Sequence, residues 1–360
     1  MKTRKILGTT MLIFIAILST VVVSLHNRSS QGEGQSRGED NCSRGNVLAQ
    51  SNLDCIPEQE IISGTPDPKL TCNPTRNEQC RKVGINFAVT AVPEEAIARA
   101  ESLNMGYTLN IANSPADLGP VAEDFNSALD KGMTPILRIC VGGSCAFTDV
   151  NSYTEFLKNL EAAVGGREFY AVAGPNEPLT ETWLGNREGD PVTTGQTSAR
   201  YMNEVINSLN NRGKGSIKLL TPVFNATNPA MPQLIQEMKA ADANFAGIDY
   251  ISLNTYNTGA GDVTGFLDIL KAQELPVKQY VITETGLFDR TQGSSFDESM
   301  RKIVFETDEI MNDPSVGAFL FFNSFATNPD PRFEYNHLNN SQFTQILGAE
   351  CIDMRLACNN

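Results

Sequence analysis

The sequence has little tryptophan and little histidine: Trp183 is the one tryptophan, and His26 and His337 are the two histidines, in 360 residues. Neither histidine lies near a pair of cysteines, and no CxxC spacing occurs, so the usual zinc frameworks are missing and no metal is expected. Basic residues are also in deficit. Lys and Arg total 28 against 42 Asp and Glu, a formal net charge of −14. A nucleic-acid backbone needs clustered cations, so nucleic acid is excluded as a partner. The acidity itself is a statement about solubility and leaves neutral or cationic glycans compatible. No glycine-rich turn follows the first strand-like run, where Asn86-Phe-Ala-Val-Thr-Ala91 stands, which counts against an open dinucleotide-binding sheet. Schiff-base chemistry wants a lysine facing a cavity, whereas Lys218 and Lys278 fall at strand starts. No set of acids and histidines on successive strand ends suggests metal-assisted chemistry, and no cofactor is called for. No solenoid-type repeat is visible.

The first residues have a purpose of their own. Lys2, Arg4 and Lys5 precede an apolar run from Ile6 to about Leu25, which reads as a signal peptide or an uncleaved signal anchor. The run is near bilayer length and no small-x-small cleavage site follows Val21-Val22-Val23, favouring an anchor with its amino terminus inside. Residues 26–45 are a polar, glycine-rich linker. Residues 46–81 form a Cys/Pro-rich extension, read as a loop-rich collar, and 82–360 form the main folded domain. Eight cysteines, at 42, 55, 72, 80, 140, 145, 351 and 358, suit an exported protein with disulfides. Their closeness in sequence suggests the local bridges 42–55, 72–80, 140–145 and 351–358, although spacing does not fix connectivity. Asn41, Asn225 and Asn339 begin N-x-Ser/Thr sequons.

From Lys82 onward short β-rich runs alternate with longer amphipathic segments. The strands are expected at Val83–Val89, Tyr107–Ile111, Pro135–Val141, Glu168–Ala173, Ile217–Val223, Ile248–Asn254, Gln279–Glu284 and Gly317–Asn323. Helices are expected at Pro93–Leu103, Val121–Lys131, Ser152–Ala163, Thr197–Asn210, Pro232–Ala240, Val263–Lys271 and Ser295–Met311, with a weaker one at Gln342–Leu347. Ser152, Thr197 and Ser295 suit helix caps, and Pro93 a first turn. Several strands are apolar on both parities, as strands covered on both faces should be. Eight such units predict an α/β fold, a single (β/α)8 TIM barrel.

Two of these strands end alike. Phe169-Tyr-Ala-Val-Ala-Gly-Pro-Asn-Glu-Pro178 delivers Asn176 and Glu177 after the fourth run, and Tyr280-Val-Ile-Thr-Glu-Thr-Gly286 delivers Glu284 on the seventh. Barrel chemistry sits at strand carboxyl ends, and two carboxyl groups there suit glycosidic-bond cleavage, one as proton donor and one as nucleophile or base. The Asn176-Glu177-Pro178 and Ile282-Thr283-Glu284-Thr285-Gly286 motifs resemble the catalytic motifs of clan A glycoside hydrolases, which are retaining (β/α)8 enzymes. The likeness spans roughly 82–350 in layout, although only the short motifs are specific.

The resemblance implies a retaining glycosidase acting on a β-linked glycan, with Glu177 as acid/base and Glu284 as nucleophile. Asn176 would bind the hydroxyl beside the reacting carbon, and Tyr256 would donate to the nucleophile. Arg138, inside the otherwise apolar Ile136-Leu-Arg-Ile139, needs a carboxylate partner, and Glu284 is the candidate. Asn254 contacts sugar or ties its loop, Trp183 is a stacking platform for a pyranose, and Asn323 lines the site after strand eight. Asn86 and Asn110 are expected on the floor. The chain departs from the clan in having Phe322-Asn323-Ser324-Phe325 where a tryptophan is common, and in lacking histidines on strand ends. The alternatives are a transglycosylase on the same glutamates or a non-catalytic glycan-binding barrel. The partner is an oligo- or polysaccharide, the membrane is met only through the leader, and a secreted or membrane-anchored monomer is the expected form.

Overall fold

The computed structural model describes residues 72–139, 145–181, 189–255, 262–286, 296–322, 338 and 340–359. The expected leader, linker and most of the extension lie outside these residues, as do Trp183, Tyr256, Asn323 and Ser295. No helix among the described residues is long and apolar enough to cross a membrane.

Among the described residues nine strands, all paired in parallel, run β1 (Val83–Asn86), β2 (Tyr107–Ala112), β3 (Thr134–Ile139), β4 (Phe169–Val172), β5 (Ile217–Leu220), β6 (Phe224–Asn225), β7 (Ile251–Asn254), β8 (Tyr280–Thr285) and β9 (Val316–Phe322). The sheet order is β5-β4-β3-β2-β1-β9-β8-β7-β6. Its two outer members, β5 and β6, are consecutive in the chain and separated only by Thr221, Pro222 and Val223. Parallel bridges Asn176↔Val223 and Leu220↔Tyr250 join them to their neighbours across that break. The ring therefore closes into an α/β barrel, and β5 with β6 occupies the one strand position expected at Ile217–Val223. Pro222 has no N–H for a ladder, which accounts for the interruption.

The helices are α1 (Pro74–Cys80), α2 (Glu94–Ser102), α3 (Leu118–Asp130), α4 (Val150–Ala163), α5 (Pro191–Arg212), α6 (Met231–Ala240), α7 (Asp262–Lys271), α8 (Phe296–Asn312), α9 (Asn340–Leu347) and α10 (Ala349–Asn359). The caps expected at Ser152 and Thr197 are supplied upstream instead. Asp149 accepts from the Asn151 and Ser152 N–H groups, and Asp190 from those of Val192 and Thr193, with Pro191 in the first turn. Helix α5 thereby starts six residues earlier than expected and runs through Gly195, a residue that costs helix propensity. The glycine answers a packing need: a Cβ there would lie 2.6 Å from Glu237 Cβ on α6.

Two sets of apolar side chains follow from strand parity. Outward residues such as Ile85, Leu137, Phe169, Leu253 and Phe319 pack under the helices. Inward residues Leu109, Ile111, Ile136, Val172, Leu220, Val281 and Leu320 fill the barrel. Three inward tyrosines plug the amino end. Tyr170 and Tyr250 stack with ring centroids 4.8 Å apart and hydroxyls 3.0 Å apart, and Tyr107 lies 6.0 Å from Tyr170.

The disulfides correct the local scheme. Cys72 pairs with Cys358 and Cys80 with Cys351, so the 72–80 and 351–358 bridges do not form. Helix α1, not foreseen in the extension, packs against α10, which brings each cysteine to its distant partner. Cys145 is also disulfide-bonded, to a cysteine outside the described residues, where the proposed 42–55 bridge also lies.

Candidate active site

Glu284 and Glu177 reach the carboxyl end of the barrel by different local devices. On β8 the register slips: Leu253 pairs with Ile282 but Asn254 with Glu284, so one extra residue is accommodated. A bulge of this kind re-aims side chains. Both Thr283 and Glu284 then reach inward neighbours, Thr283 Oγ1 donating to Asn254 Oδ1 at 2.8 Å and Glu284 pairing with Arg138. Glu177, by contrast, sits in the left-handed region at φ +39° immediately before Pro178. A bulky residue there, and one preceding proline, is strained. Backbone bonds hold it: its N–H donates to Val223 O at 3.0 Å, and its carbonyl accepts from Thr180 and Glu181 N–H at 2.8 and 2.9 Å.

Arg138 from β3 is 2 % exposed and Glu284 4 %, so their ion pair is closed off from water. Such a pair needs further hydrogen bonds to offset desolvation. Asn86 Nδ2 donates to Glu284 Oε1 at 3.3 Å and to Thr283 O at 3.1 Å. Arg138 also donates to Asn176 Oδ1 at 3.3 Å, and Asn254 Nδ2 donates to the same oxygen at 3.3 Å. Asn254 Nδ2 reaches Glu177 Oε1 at 2.9 Å, while Asn225 Nδ2 reaches Glu177 Oε2 at 2.9 Å. Asn176 Nδ2 in turn donates to Glu181 Oε1 at 2.7 Å. One continuous network thus joins the two glutamates through Asn254, Asn176 and Arg138.

The sequence expectations meet this network unevenly. Glu177, Glu284, Asn176, Arg138 and Asn254 come together in it. Asn86 does line the floor, but Asn110 faces outward and donates to Asp124 Oδ2 on α3 at 2.6 Å. Asp124 also accepts from Val92 N at 2.8 Å, and burial, opposed by those two bonds, pushes its carboxyl up to about 6. Asn225, Glu181 and Thr283 were not foreseen as contributors. Asn225 carried a visible signal of a different kind, its sequon, whose Thr227 hydroxyl here donates to Asn225 Oδ1 at 2.7 Å.

A concavity of about 650 Å³ opens at the opposite, amino end, lined by Arg81, Lys82, Tyr107 and Pro314 among others. The paired glutamates lie at the other end, where chemistry in such barrels belongs.

No protein-family profile and no curated protein matches the sequence. Solved structures with a similar fold include a curdlan-specific exo-β-1,3-glucanase of glycoside hydrolase family 128 from Blastomyces gilchristii, at 11% identity and TM-score 0.47, covering 75% of this chain and 99% of that one. An exo-β-1,4-mannosidase from an Opitutaceae bacterium is 11% identical at TM-score 0.49, covering 76% and 60%. A family 17 β-1,3-glucanosyltransferase from Rhizomucor miehei is 14% identical at TM-score 0.48, covering 74% and 95%.

Proposed function

We propose that the chain is a retaining glycoside hydrolase of the (β/α)8 type that cleaves a β-linked oligo- or polysaccharide outside the cytoplasm. The observation that carries this reading is the shared network: two glutamates on separate strand ends, joined through Arg138, Asn176 and Asn254. Their surroundings suit different tasks. The guanidinium and Asn86 compensate the charge of Glu284, as a carboxylate nucleophile requires. Glu177 has neutral amides as its side-chain partners and is more open, as a group that exchanges a proton requires.

In the first step Glu284 attacks the anomeric carbon while the bond to the leaving oxygen breaks and Glu177 gives that oxygen its proton. In the second, Glu177 takes a proton from water, the water oxygen bonds the anomeric carbon, and Glu284 leaves. Asn176, Tyr256, Trp183 and Asn323 hold the sugar in this reading. Disulfides at Cys72–Cys358, Cys80–Cys351 and Cys145 support an oxidising compartment. Residues 1–25 would then export or tether the chain, with 26–45 as linker and 46–81 as extension.

The test is turnover by the full chain of β-glucan, β-mannan, xylan and peptidoglycan fragments, followed by NMR of the anomer first released. The expected result is a product of retained configuration from one of these glycans. Glu177→Gln should lower kcat/KM by about 10²–10⁴-fold and Glu284→Gln should abolish turnover. An inverted product, or activity that survives Glu284→Gln, would sink the nucleophile assignment. A chain that binds glycan without turnover would instead be a binding protein.

A further inference from the structure

The carboxylate of Glu177 is gripped by two neutral amides, one on each oxygen: Asn225 Nδ2 on Oε2 and Asn254 Nδ2 on Oε1, both at 2.9 Å. Each amide is locked in orientation from behind. Asn225 Oδ1 accepts from Thr227 N at 3.0 Å and from Thr227 Oγ1 at 2.7 Å. Asn254 Oδ1 accepts from Thr283 Oγ1 at 2.8 Å. The Thr227 N–H fixes Asn225 Oδ1, and Asn254 Nδ2 meets a second acceptor in Asn176 Oδ1 at 3.3 Å, so both NH₂ groups are turned to the glutamate and the direction of these bonds follows from the network. Asn225 belongs to β6, just past the Thr221–Val223 break that lets this strand re-aim towards Asn176 and Glu177. Its second contact, Thr180 Oγ1 at 3.4 Å, is with the turn that follows Glu177.

We propose that Asn225 is a positioning residue for proton donation by Glu177. It fixes the plane of the carboxyl group on a backbone that is already held in a left-handed conformation, so that the proton is aimed at the leaving oxygen. The inference rests on the glycosidase reading above. Its specific content is a division of labour. Arg138 and Asn86 serve Glu284, whereas the hydrogen bonds of Asn225 run to Glu177, Thr180 and Thr227. Loss of Asn225 should therefore weaken protonation of the leaving group while sparing nucleophilic attack.

Leaving-group dependence separates the two. A sugar alkoxide needs the proton as the bond breaks, whereas a 2,4-dinitrophenolate departs without it. The experiment compares kcat/KM, which reports the first step, for the full chain and its Asn225→Ala and Asn225→Asp variants. The substrates are the glycan cleaved by the parent and the 2,4-dinitrophenyl β-glycoside of the matching disaccharide. Asn225→Asp is isosteric and keeps the acceptor for Thr227, so it covers the case in which the alanine variant folds poorly. Both variants should lose about 10–100-fold on the glycan, and at least about tenfold less on the aryl glycoside. Equal losses on both substrates, or no loss on either, would overturn this inference alone. A parent inert on every glycan would overturn the glycosidase reading and this inference with it.

Discussion

At the amino end of the barrel Tyr107, Tyr170 and Tyr250 fill the interior, and Cys72–Cys358 and Cys80–Cys351 fasten α1 to α10. At the carboxyl end the inward positions hold Asn86, Arg138, Asn254, Thr283 and Glu284, with Asn176 and Glu177 just beyond β4. The first end is filled by aromatic rings and covalently fastened. The second keeps polar side chains out of water, a bulged strand and a residue at positive φ, each of which costs stability. One end stores stability that the other spends on placing charges.

The strongest challenge to that division is to open the covalent end. The two bridges are nested, so removing either leaves the other closing a loop that spans a separation of 271 or 286 residues. Only a loop of about 15 residues is then released, worth about 3 kcal/mol of chain entropy. Replacing Cys72, Cys80, Cys351 and Cys358 by serine together should cost roughly 8–9 kcal/mol, more than the sum of the two single removals. Denaturant unfolding of the three variants would reveal this excess, and simple additivity would refute the nested account. Where the variants remain folded, kcat should match the parent.

A cut at the other end should damage both properties. Arg138→Leu strands Glu284 in a site closed to water, so stability should drop by about 3–5 kcal/mol and glycan turnover should disappear. Combining it with Glu284→Leu should restore much of the stability and none of the turnover. If the double variant is as unstable as the single one, the unpaired carboxylate is not the cause.

The smallest expected effect concerns the shell behind the carboxyl end. Asp124, at about 6, holds its proton in the folded state at pH values where the unfolded chain has released it. Its folded value is raised, so its contribution is fully present below about pH 4 and is lost as pH rises through about 6. The change is on the order of 3 kcal/mol. Asp124→Asn should flatten the stability profile between pH 4 and 6.5, and an unchanged slope would assign that slope to other groups.

Much of this was legible beforehand because strand parity and helix period leave a strong signal when every strand is covered on both faces. Glu177 and Glu284 could be named from the chain because glycine, proline and β-branched residues mark where a strand stops. What could not be read is contact between residues far apart in sequence. Asn225 looked like a sequon, and only the closing of β6 against β4 brings it to Glu177, 48 residues away. Helix α10 went unseen for a related reason: its apolar positions do not segregate to one face, and its place is set by cysteines whose partners lie 286 and 271 residues away. Asn110 stands one parity step from the inward Leu109 and Ile111, enough to turn it from the barrel interior to Asp124.

The nested disulfides also make the segment from Cys80 to Cys351 a closed ring in the topological sense. A protease that severs a single peptide bond anywhere on that ring opens it without releasing a fragment. The nicked molecule keeps its full mass until a thiol reductant is added. In an environment rich in proteases, a single clip between two strands would leave the strands that present the glutamates in one covalent assembly.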